Sequence, residues 1–563
     1  MTEPLDPAAA EAWDRLLSAA EPVTPRPLAD LIERLETCGR LSDLRAGTAG
    51  SAGPAGPAAT IGTAAQVRER GIGAVEIRGV AFDSRRVGPG FVFVAVPGGR
   101  ADGHDFVAAA AALGAAAVIV ERAITDVAVP QIVVDDARRA LAATAAWWYG
   151  DPSLELGVIG VTGTDGKTTT SFLATAVLES AGISTGLITT AAAKIGSLRT
   201  ANREHVTTPE APQLQQLLRA MAAAGNAAAI VETTSHGLAL SRVAEIAYDI
   251  AIFTNLTHEH LELHGTFEAY RDAKLSLFRG LGAGPAKSLG RQWPRAAVIN
   301  ADDPAAPLFV SAALGAGARV VTYGESEAAD IRATAVAEGP RSMRIDVATP
   351  RWSGPVDLLL AGRFNVHNAL AAVALGEVLE LDPARVRAGL AAVRGVPGRM
   401  ERVDCGQPFG VIVDYAHSPA SLEKVLDVLA PLTQGGGGLI VVFGSAGERD
   451  VRKRPMMGRI AAERCRLVVV TDEDPRGEDS RAILDEIAAG AQAAGRILGR
   501  DVLTIADRRA AIDAAFAAAR PGDVVLLAGK GHEQTIIMAD GAVPWDERSE
   551  AIRALGRLGF EER

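Results

Sequence analysis

The chain has 563 residues, a length that predicts two to four domains and leaves room for several hydrophobic cores. Hydrophobic residues make up 48% and charged residues 22%, an ordinary globular balance, and a net charge of −11 argues against general affinity for nucleic acid, because a duplex-binding protein needs a basic face. The three cysteines, Cys38, Cys405 and Cys465, show no CxxC pairing, which argues against a disulfide framework or a zinc site and favours small buried side chains.

The N-terminal part shows no targeting or membrane-spanning pattern. Residues 1–20 lack the cationic start and apolar run of a signal peptide, and the longest apolar stretch, residues 106–120, is too short to span a bilayer. Residues 1–26 predict a loose extension, residues 27–35 a helix, and residues 46–65, rich in Ala, Gly, Ser, Thr and Pro, a flexible loop. We therefore expect a cytoplasmic protein without membrane insertion.

Polar residues follow the next predicted strand. Ordered structure resumes at residues 75–80 and continues through FDSRRVGPGFVFVAVPG, residues 82–98, and DGHDF, residues 102–106. Pro89-Gly90 predicts a turn between strands. Taken alone, DSRR is a polar loop between two strands.

A glycine-rich loop predicts nucleotide binding. The sequence GVTGTDGKTTT, residues 160–170, lies between an apolar run and an amphipathic stretch. Strand, glycine-rich turn, Lys-Thr and helix are the layout of a loop whose backbone N–H groups surround phosphate oxygens. Lys167 supplies a cation for the terminal phosphates, and the Thr168 hydroxyl is placed to ligate Mg²⁺. Although Val161 stands where the strict pattern has its first glycine, the loop predicts binding of a nucleoside triphosphate.

An acidic residue ends the strand predicted at residues 227–231. Glu232 opens ETTSHGLALSR, and the carboxyl end of a strand in an α/β sheet faces the ligand crevice, so Glu232 is placed to complete a Mg²⁺ shell that Thr168 begins. Upstream, in HVTTPEAP, Thr208-Pro209-Glu210 is typical of the start of a helix.

A histidine-rich segment follows the strand predicted at residues 250–256. His258, His260 and His264 have a spacing that by itself admits zinc. The absence of nearby cysteines and the presence of the Gly-Lys-Thr loop favour magnesium.

The C-terminal part predicts a doubly wound α/β sheet. Predicted strands at 411–413, 439–443, 467–471, 502–505 and 524–528 alternate with helices. Three polar segments, GSAGERDVRKRP, TDEDPRGED and AGKGHE, follow strand ends. Because an open sheet binds ligands at the carboxyl ends of its strands, each segment is a candidate binding loop.

Together these motifs resemble the Mur ligases and their folylpolyglutamate synthetase relatives, which join an amine to a carboxylate at the expense of ATP. The loop GxxGTxGKTT carries the general resemblance, and DSRxVxPGxxFxAxxG with DGHxF resembles the N-terminal domain of members that bind a UDP-N-acetylmuramoyl peptide. The resemblance implies contacts with that substrate for Ser84, Thr207, Thr208, Thr234 and Arg242. Thr234 replaces the first serine of the family's E-x-S-S-H, which keeps the hydroxyl and adds a methyl group.

The resemblance also implies a metal-binding set. It assigns Mg²⁺ ligation to Thr168, Glu232, His260 and Lys274, the last as N6-carboxylysine. A lysine on a helix is usually a surface residue, but YxxAKxxLF resembles the segment of the family's carbamylated lysine, and a carbamate is an anion that binds Mg²⁺ where an ammonium is repelled. The family usually has Arg-Asp-His where this chain has His258-Glu259-His260.

Further residues are assigned to ATP, to the incoming amino acid and to catalysis. The implied ATP-binding residues are Gly163, Thr164, Asp165, Gly166, Lys167, Thr168, Thr169, Asn300, Asn365, Asn368, Arg399 and Asp414. The implied amino-acid-binding residues are Arg449, Glu473, Asp474, Pro475, Arg476, Gly529 and Glu533. The implied catalytic residues are Lys167, Glu232, His260 and Lys274. Asp165 stands where the family more often has Asn, and the residues alone give no physical account of it.

The resemblance spans residues 82–533 and implies three α/β domains. These are a UDP-substrate domain at 27–152, a central P-loop ATPase with a mostly parallel sheet at 153–396, and a C-terminal Rossmann-like domain at 397–563. It implies a monomeric ligase of peptidoglycan precursor synthesis that adds a diamino acid to UDP-N-acetylmuramoyl-L-alanyl-D-glutamate through an acyl phosphate. The rivals are a sister ligase that adds alanine, glutamate, D-Ala-D-Ala or folate glutamates, and a nucleotide-binding module without catalysis, which the complete set of loop, acid, histidine and lysine disfavours.

One segment bears on the identity of the diamino acid. In the family DNPR marks enzymes for meso-diaminopimelate, whereas this chain has Glu473-Asp474-Pro475-Arg476. Arg476 favours a distal carboxylate and repels a bare ammonium, while Asp474 favours an ammonium. meso-Diaminopimelate carries both groups and is favoured, with L-lysine and L-ornithine as alternatives.

Overall fold

The structure is a computed structural model that describes residues 7–45, 74–99, 101–202, 206–257, 261–287, 289–339, 342–433 and 435–561. Within these ranges the strands form sheets of five, eleven and six strands and two two-stranded ribbons. The flexible loop expected at 46–65 lies outside the described residues, as does His260. Each large sheet lies within one of the three predicted domains, so the predicted fold class is confirmed, while the exact domain boundaries stay predictions.

The first sheet is parallel except at one edge. Its strands run in the order Leu41–Arg45, Gln131–Val134, Ala117–Val120, Phe91–Val94 and Gly79–Ala81, with only the first pair antiparallel. A ribbon of Arg26–Pro27 and Glu76–Ile77 lies beside it. Its helices are Leu28–Thr37, Val107–Ala112 and Ala137–Tyr149, with short 3-10 turns at Ser84–Arg86, Gly103–Phe106 and Pro152–Leu154. Apolar residues on both sheet faces pack beneath these helices, as expected where parallel strands are covered on both sides.

The first helix corrects the expectation of a loose extension at residues 1–26. Residues Pro7–Ala20 form a helix that packs against the helix Ala211–Ala223 of the central domain. Trp13 is buried in the central core, and Glu21 accepts a hydrogen bond from Tyr149 Oη at 2.7 Å. The apolar face of this helix packs against a surface that is distant in sequence. For that reason the residues of the segment alone did not predict its packing.

The central sheet has seven parallel strands flanked by antiparallel hairpin strands. The strand order is Leu198–Ala201, Ala192–Ile195, Thr185–Ile188, Ala228–Glu232, Gly157–Thr162, Ile250–Phe253, Ala296–Asn300, Arg319–Gly324, Ile331–Glu338, Met343–Ala348 and Ser353–Leu358. Its helices are Lys167–Ser180, Ala211–Ala223, Ser235–Ala239, Leu261–His264, Phe267–Arg279, Ala306–Gly315, Phe364–Val378 and Pro383–Ala392. The central strands are continuous apolar runs rather than alternating ones, so both faces of the sheet are apolar. Each face packs against helices, and the two contacts form two apolar cores.

The C-terminal sheet is doubly wound, as predicted. Its order is Glu401–Arg402, Gly410–Asp414, Val524–Ala528, Leu439–Phe443, Cys465–Val470 and Val502–Thr504, parallel except for the first pair. Its helices are Pro419–Leu429, Lys453–Arg464, Ser480–Ala493, Arg508–Ala518 and Glu547–Arg557, and Thr535–Met538 pairs with Gly541–Pro544 as a hairpin. Among the described helices of the whole chain, none is long and apolar enough to cross a membrane.

Candidate functional site

Adjacent parallel strands of the central sheet bring distant polar residues to one edge. The strands Ala228–Glu232, Gly157–Thr162, Ile250–Phe253 and Ala296–Asn300 are consecutive neighbours. Because they run parallel, their carboxyl ends meet, and this is the edge where open α/β sheets bind ligands. The glycine-rich loop, Glu232 and Asn300 therefore converge.

The glycines of the phosphate loop are required by space as well as by conformation. Gly163 has φ +149° and Gly166 has φ +81°, both in the region that favours glycine. A Cβ at Gly163 would lie 1.9 Å from Thr254 Oγ1, and one at Gly166 would lie 2.4 Å from Asn368 Oδ1. The loop is thus closely packed against two neighbouring elements.

Residues after the strand Ile250–Phe253 hold the loop in place. Thr254 Oγ1 donates a hydrogen bond to the Asp165 carbonyl at 2.7 Å, and the Asp165 N–H donates to Asn255 Oδ1 at 2.9 Å. Lys167 Nζ donates to the Thr164 carbonyl at 2.7 Å. The loop conformation is therefore fixed by the protein's own contacts.

Thr168 and Glu232, predicted to share a magnesium ion, are in direct contact. Thr168 Oγ1 donates to Glu232 Oε2 at 2.9 Å, and Glu232 is buried. Thr190 holds the same carboxylate through its N–H, at 2.9 Å from Oε2, and through its hydroxyl, at 3.1 Å from Oε1. A hydroxyl and a carboxylate beside a phosphate-binding loop are the hard oxygen donors that Mg²⁺ takes, so these residues fit the predicted ion.

The remaining predicted ligands differ in what the structure says of them. His260 lies outside the described residues, and within the described ranges no cluster of three or more His, Cys, Asp or Glu side chains is arranged to hold a metal. Lys274 is buried on the helix Phe267–Arg279, and its Nζ donates to the Gly163 carbonyl at 2.6 Å. Its Nζ also lies 4.5 Å from the Tyr270 ring centroid. Lys274 is thus a buried neighbour of the phosphate loop and not a surface lysine, and its carbamylation stays a prediction.

A cavity of about 1260 Å³ opens between the phosphate loop and the C-terminal domain. Every residue predicted to bind ATP lines it except Gly163. The lining residues are Thr164, Asp165, Gly166, Lys167, Thr168, Thr169, Asn300, Asn365, Asn368, Arg399 and Asp414. Ligand pockets commonly measure about 300–1,000 Å³, so the cavity has room for a nucleotide.

The asparagines predicted near the adenine are themselves held by hydrogen bonds. Asn368 Nδ2 donates to Asn365 Oδ1 at 2.9 Å, and Asn365 Nδ2 donates to the Ala361 carbonyl at 2.7 Å. Asn300 Nδ2 donates to the Thr254 carbonyl at 2.7 Å. These side chains line the cavity and at the same time connect the elements that form its wall.

Two cations from the C-terminal domain reach the phosphate loop. Arg399 Nη2 lies 3.5 Å from Thr168 Oγ1, and Lys424 Nζ lies 2.7 Å from Asp165 Oδ2. Burial by itself raises the pKa of Asp165, but the hydrogen bond and charge of Lys424, with the charges of Lys167 and Arg399, outweigh it, so that this pKa lies below its ordinary value. The structure thereby gives Asp165 a role that the sequence did not: it joins the loop to the C-terminal domain.

Four of the five residues predicted to bind the UDP-linked peptide lie in one hydrogen-bonded network. Thr208 Oγ1 donates to the Glu232 carbonyl at 2.8 Å and lies 3.0 Å from Thr234 Oγ1. Arg242 Nη1 donates to the Thr208 carbonyl at 3.0 Å, and Thr207 Oγ1 accepts from Thr190 Oγ1 at 2.8 Å.

The fifth, Ser84, lies in the short turn Ser84–Arg86 of the N-terminal domain. No hydrogen bond joins it to Thr207, Thr208, Thr234 or Arg242, all of which are described. Ser84 is therefore separate from the hydrogen-bonded network of the other four residues.

Two acidic residues of the predicted amino-acid site, Asp474 and Glu533, share one buried lysine, Lys530. Lys530 is fully buried, and its Nζ lies 2.7 Å from Asp474 Oδ1 and 2.5 Å from Glu533 Oε2. Burial alone lowers the pKa of Lys530, but the charges of Glu533 and Asp474 more than offset this and raise it. Asp474 also accepts from the Ile537 N–H at 2.9 Å. Asp474 was expected to attract a substrate ammonium, but its carboxylate is already paired with the Lys530 ammonium.

Other polar atoms of this region have no hydrogen-bond partner among the described residues. They are Ser445 Oγ, Glu473 Oε2, Arg476 Nε and His532 Nδ1, and each is buried. They follow three neighbouring strands of the C-terminal sheet, at the ligand-binding edge. Polar atoms are seldom buried without a partner, so the grouping of four such atoms at this edge favours it as a ligand-binding region.

The other predicted residues at this edge vary in their placement. A Cβ at Gly529, where φ is +100°, would lie 2.8 Å from Glu473 Oε2, so only glycine leaves room there. Pro475 is buried, and its carbonyl accepts from the Glu478 N–H at 3.1 Å. Arg449 is exposed and makes no hydrogen bond with the rest of this set.

Sequence reasoning missed several residues that complete these networks. Thr190 lies just beyond the strand Thr185–Ile188, so its polarity at a strand end was a usable signal. Lys530 lies inside the AGKGHE segment, but its burial between two carboxylates could not be inferred from the segment. Lys424 lies on an exposed helix face, and no local pattern distinguishes it from other surface lysines.

Comparison with known protein families assigns three regions of the chain to the same family. Residues 161–376 match the Mur ligase middle domain, residues 398–531 match the Mur ligase glutamate ligase domain, and residues 76–149 match the Mur ligase family catalytic domain.

Named relatives cover most of the chain. It is 50% identical over 491 residues to a UDP-N-acetylmuramyl-tripeptide synthetase of Roseiflexus sp. strain RS-1, which covers 86% of this chain and 96% of the relative. It is 41% identical over 483 residues to a UDP-N-acetylmuramoyl-L-alanyl-D-glutamate–2,6-diaminopimelate ligase of Bacillus licheniformis, covering 86% and 95%. A solved structure with that same ligase name matches with a TM-score of 0.58 at 30% identity, covering 86% of this chain and 96% of the other.

Proposed function

The chain belongs to the Mur ligase family, and on that premise we propose that it is an ATP-dependent ligase that adds a diamino acid to the D-glutamate of UDP-N-acetylmuramoyl-L-Ala-D-Glu. The observation that carries the proposal is the cavity in which the phosphate loop, Glu232 and cations of the C-terminal domain meet. The names of the relatives support the substrate, and the activity belongs to peptidoglycan precursor synthesis in the cytoplasm.

ATP lies in the cavity with its phosphates on the loop 163–168. Loop N–H groups and Lys167 bind the phosphate oxygens, Arg399 approaches them from the C-terminal domain, and Asn365 and Asn368 border the base. Thr168 and Glu232 would hold Mg²⁺, together with His260 and carbamylated Lys274. When bound, the ion neutralises the charge on the phosphates, and the protein's own contribution is positioning and further charge neutralisation.

The acceptor peptide lies beside the phosphate loop. Thr207, Thr208, Thr234 and Arg242 bind the peptide end, and Ser84 contacts the UDP-sugar end. A carboxylate and an ammonium do not condense in neutral water, so the D-Glu γ-carboxylate first attacks the ATP γ-phosphate. This step gives an acyl phosphate and ADP, and the amine of the diamino acid then displaces phosphate.

The incoming amino acid occupies the edge of the C-terminal sheet. We assign its binding to Glu473, Asp474, Pro475, Arg476, Gly529 and Glu533, with Arg449 at the exposed rim. Because Lys530 already neutralises Asp474, Arg476 is left to pair with a distal carboxylate and Glu473 with an ammonium. meso-Diaminopimelate offers both groups and is the favoured substrate, while L-lysine and L-ornithine lack the distal carboxylate.

The test is phosphate release from ATP by the purified protein. Release that requires both the UDP-linked dipeptide and a diamino acid supports the proposal. Release with a UDP-linked monopeptide or tripeptide, or with a folate, would instead assign the chain to a sister ligase. ATP binding without turnover in any combination would indicate a nucleotide-binding module.

A further inference from the structure

The segment AGKGHE contains one buried polar atom that the proposed mechanism leaves unused. His532 Nδ1 is buried and has no hydrogen-bond partner in the described part of the chain. Its neighbours in sequence, Lys530 and Glu533, take part in the charged cluster of the amino-acid site, and its ring lies 4.8 Å from that of Tyr415.

His532 lies where the two half-sites meet. On the central-domain side its ring lies near the backbone of Thr190, the residue that holds the Glu232 carboxylate and the Thr207 hydroxyl. On the C-terminal side its segment carries the proposed amino-acid contacts, and its backbone N–H adjoins Gly398, where a Cβ would lie 2.3 Å from that nitrogen. The bond between the activated acid and the amine must form between these two groups of residues.

The charge state of the ring is fixed by its surroundings. Burial, followed by the charges of Arg399, Lys530 and His417, lowers the pKa of His532 to about 3, so the ring is neutral near pH 7. A neutral imidazole carries one N–H and one lone pair. We place the lone pair on Nδ1, the ring nitrogen that is buried without a hydrogen-bond partner in the described residues, and the N–H on Nε2.

We propose that His532 Nδ1 accepts a hydrogen bond from the attacking amino group and holds it against the acyl carbon. The proposal rests on the ligase function proposed above. Carboxylates such as Glu473 hold an amine as its ammonium, which has no lone pair to attack with. A neutral acceptor beside the Arg399 cation, which packs on the same Tyr415 ring, disfavours the ammonium and retains the nucleophilic amine.

The bonds and charges of the step balance. The nitrogen lone pair forms the C–N bond, and collapse of the tetrahedral intermediate breaks the bond from carbon to the phosphate oxygen, which leaves with the bonding pair. The amino group is an ammonium in neutral water, so it first releases one proton to solvent. The second proton, which nitrogen loses on addition, ends on the departing phosphate. His532 positions the amine throughout and gains no net proton.

The test separates acid activation from amide formation. Exchange of oxygen-18 between bridging and non-bridging positions of ATP, with UDP-dipeptide and no diamino acid, reports reversible acyl-phosphate formation. We expect His532→Ala to leave this exchange within twofold and to lower kcat/KM for the diamino acid by about 100-fold, the scale of a misplaced reacting group. His532→Asn retains an acceptor at the δ position and should recover at least tenfold of that loss.

A control variant, a pH profile and a wild-type measurement complete the test. His417→Ala is the matched control, because that ring also packs on Tyr415, at 4.7 Å, but its Nδ1 already bonds the Tyr415 carbonyl; the same selective loss there would overturn the proposal. Equal loss of exchange and ligation in His532→Ala would overturn it as well, as would an Asn variant no better than Ala. His532→Asp should move the pH dependence of kcat/KM for the diamino acid to higher pH, and an unmoved profile counts against the proposal. Absence of both exchange and ligation in the wild type would refute the proposed function itself.

Discussion

The two halves of the candidate site differ in how far the protein satisfies them by itself. On the nucleotide side Thr168, Glu232, Asn365 and Asn368 already hydrogen-bond to protein partners, and among the predicted ATP contacts in the described residues only Arg399 buries an atom, Nε, without one. On the amino-acid side Ser445, Glu473, Arg476 and His532 each bury an atom without a partner in the described residues. A site that is internally bonded is ordered before its ligand arrives, whereas a site with buried unpartnered atoms gains those bonds only when its ligand binds.

This difference predicts which side of the site sets the rate for every substrate and which side sets the selectivity among diamino acids. Changes on the nucleotide side should affect every substrate alike, because they disturb a preformed constellation. Changes on the amino-acid side should separate one diamino acid from another, because each candidate satisfies the unpartnered atoms to a different extent.

The largest expected effect tests the nucleotide side through Lys167. Lys167→Met removes the cation at the phosphates and should lower kcat by about 10³-fold for every diamino acid, since its charge is used in the transition state. Phosphate release at saturating ATP measures this. Arg344→Met, which removes an exposed cation of the hairpin strand Met343–Ala348, is the control and should retain full activity. A Lys167 variant that discriminates among diamino acids would contradict the expectation that changes on the nucleotide side affect every substrate alike.

The second prediction concerns Lys274, buried against the phosphate loop. If Lys274 carries a carbamate, Lys274→Ala should lose about 10²-fold or more of the activity, since an anion at the Mg²⁺ site is lost. Short carboxylic acids that fill the space, or bicarbonate, should restore part of it, whereas a short alkylammonium should not. A mutant with an unaltered rate, or rescue by the alkylammonium, would contradict carbamylation.

Arg476 tests the selectivity of the amino-acid side. With wild type we expect kcat/KM to favour meso-diaminopimelate over L-lysine and L-ornithine, and Arg476→Ala should remove that preference by about tenfold or more, roughly 1.4 kcal/mol of transition-state preference. The variant should bind ATP unchanged. A tenfold wild-type preference for lysine or ornithine would show that the interpretation of Arg476 is wrong.

A smaller effect concerns the stability of the free protein. Glu473 buries a carboxylate oxygen with no partner, a cost of about 1–3 kcal/mol that the ligand relieves. Glu473→Gln removes the charge and should raise the Tm of the free protein by a few degrees, while weakening the stabilisation that the diamino acid confers. The matched change Glu232→Gln, on a carboxylate that is fully hydrogen-bonded, should lower the Tm instead. Equal shifts of the two variants would remove the contrast between the two sides.

The smallest expected effect belongs to the Asp165–Lys424 contact between domains. Both side chains are about half exposed, at 50% and 59%. The pair should therefore contribute only about 0.2–1 kcal/mol to the free energy of the contact between the two domains. Because the pKa of Asp165 is lowered, that contribution is present above the ordinary carboxyl pKa and is lost as the pH falls through the lowered value. A double-mutant cycle of Asp165→Asn and Lys424→Met, read as KM for ATP, measures it. Additive effects of the two substitutions would mean that the pair contributes nothing.

The sequence by itself determined the main elements and predicted the chemistry of each motif. The phosphate loop, the strand ending at Glu232 and the alternation of strands and helices after residue 411 are local patterns, because hydrophobic period, glycine placement and strand-end polarity act over a few residues. The resemblance supplied the roles of residues such as Lys274 and Asn368, which no local pattern distinguishes. The helix Pro7–Ala20 shows the limit of local patterns, since its partner surface lies some two hundred positions away along the chain.

Only the tertiary structure decided which charges meet. Asp474 was expected to attract a substrate ammonium, yet the fold places the Lys530 ammonium 2.7 Å from it, and Asp165, unexplained in the sequence, meets Lys424 across the domain contact. Lys274 is of a residue type usually found at the surface but is buried against the Gly163 carbonyl. The physical reason is the same in each case: electrostatic pairing and burial depend on distances between residues far apart in the chain, and folding sets those distances.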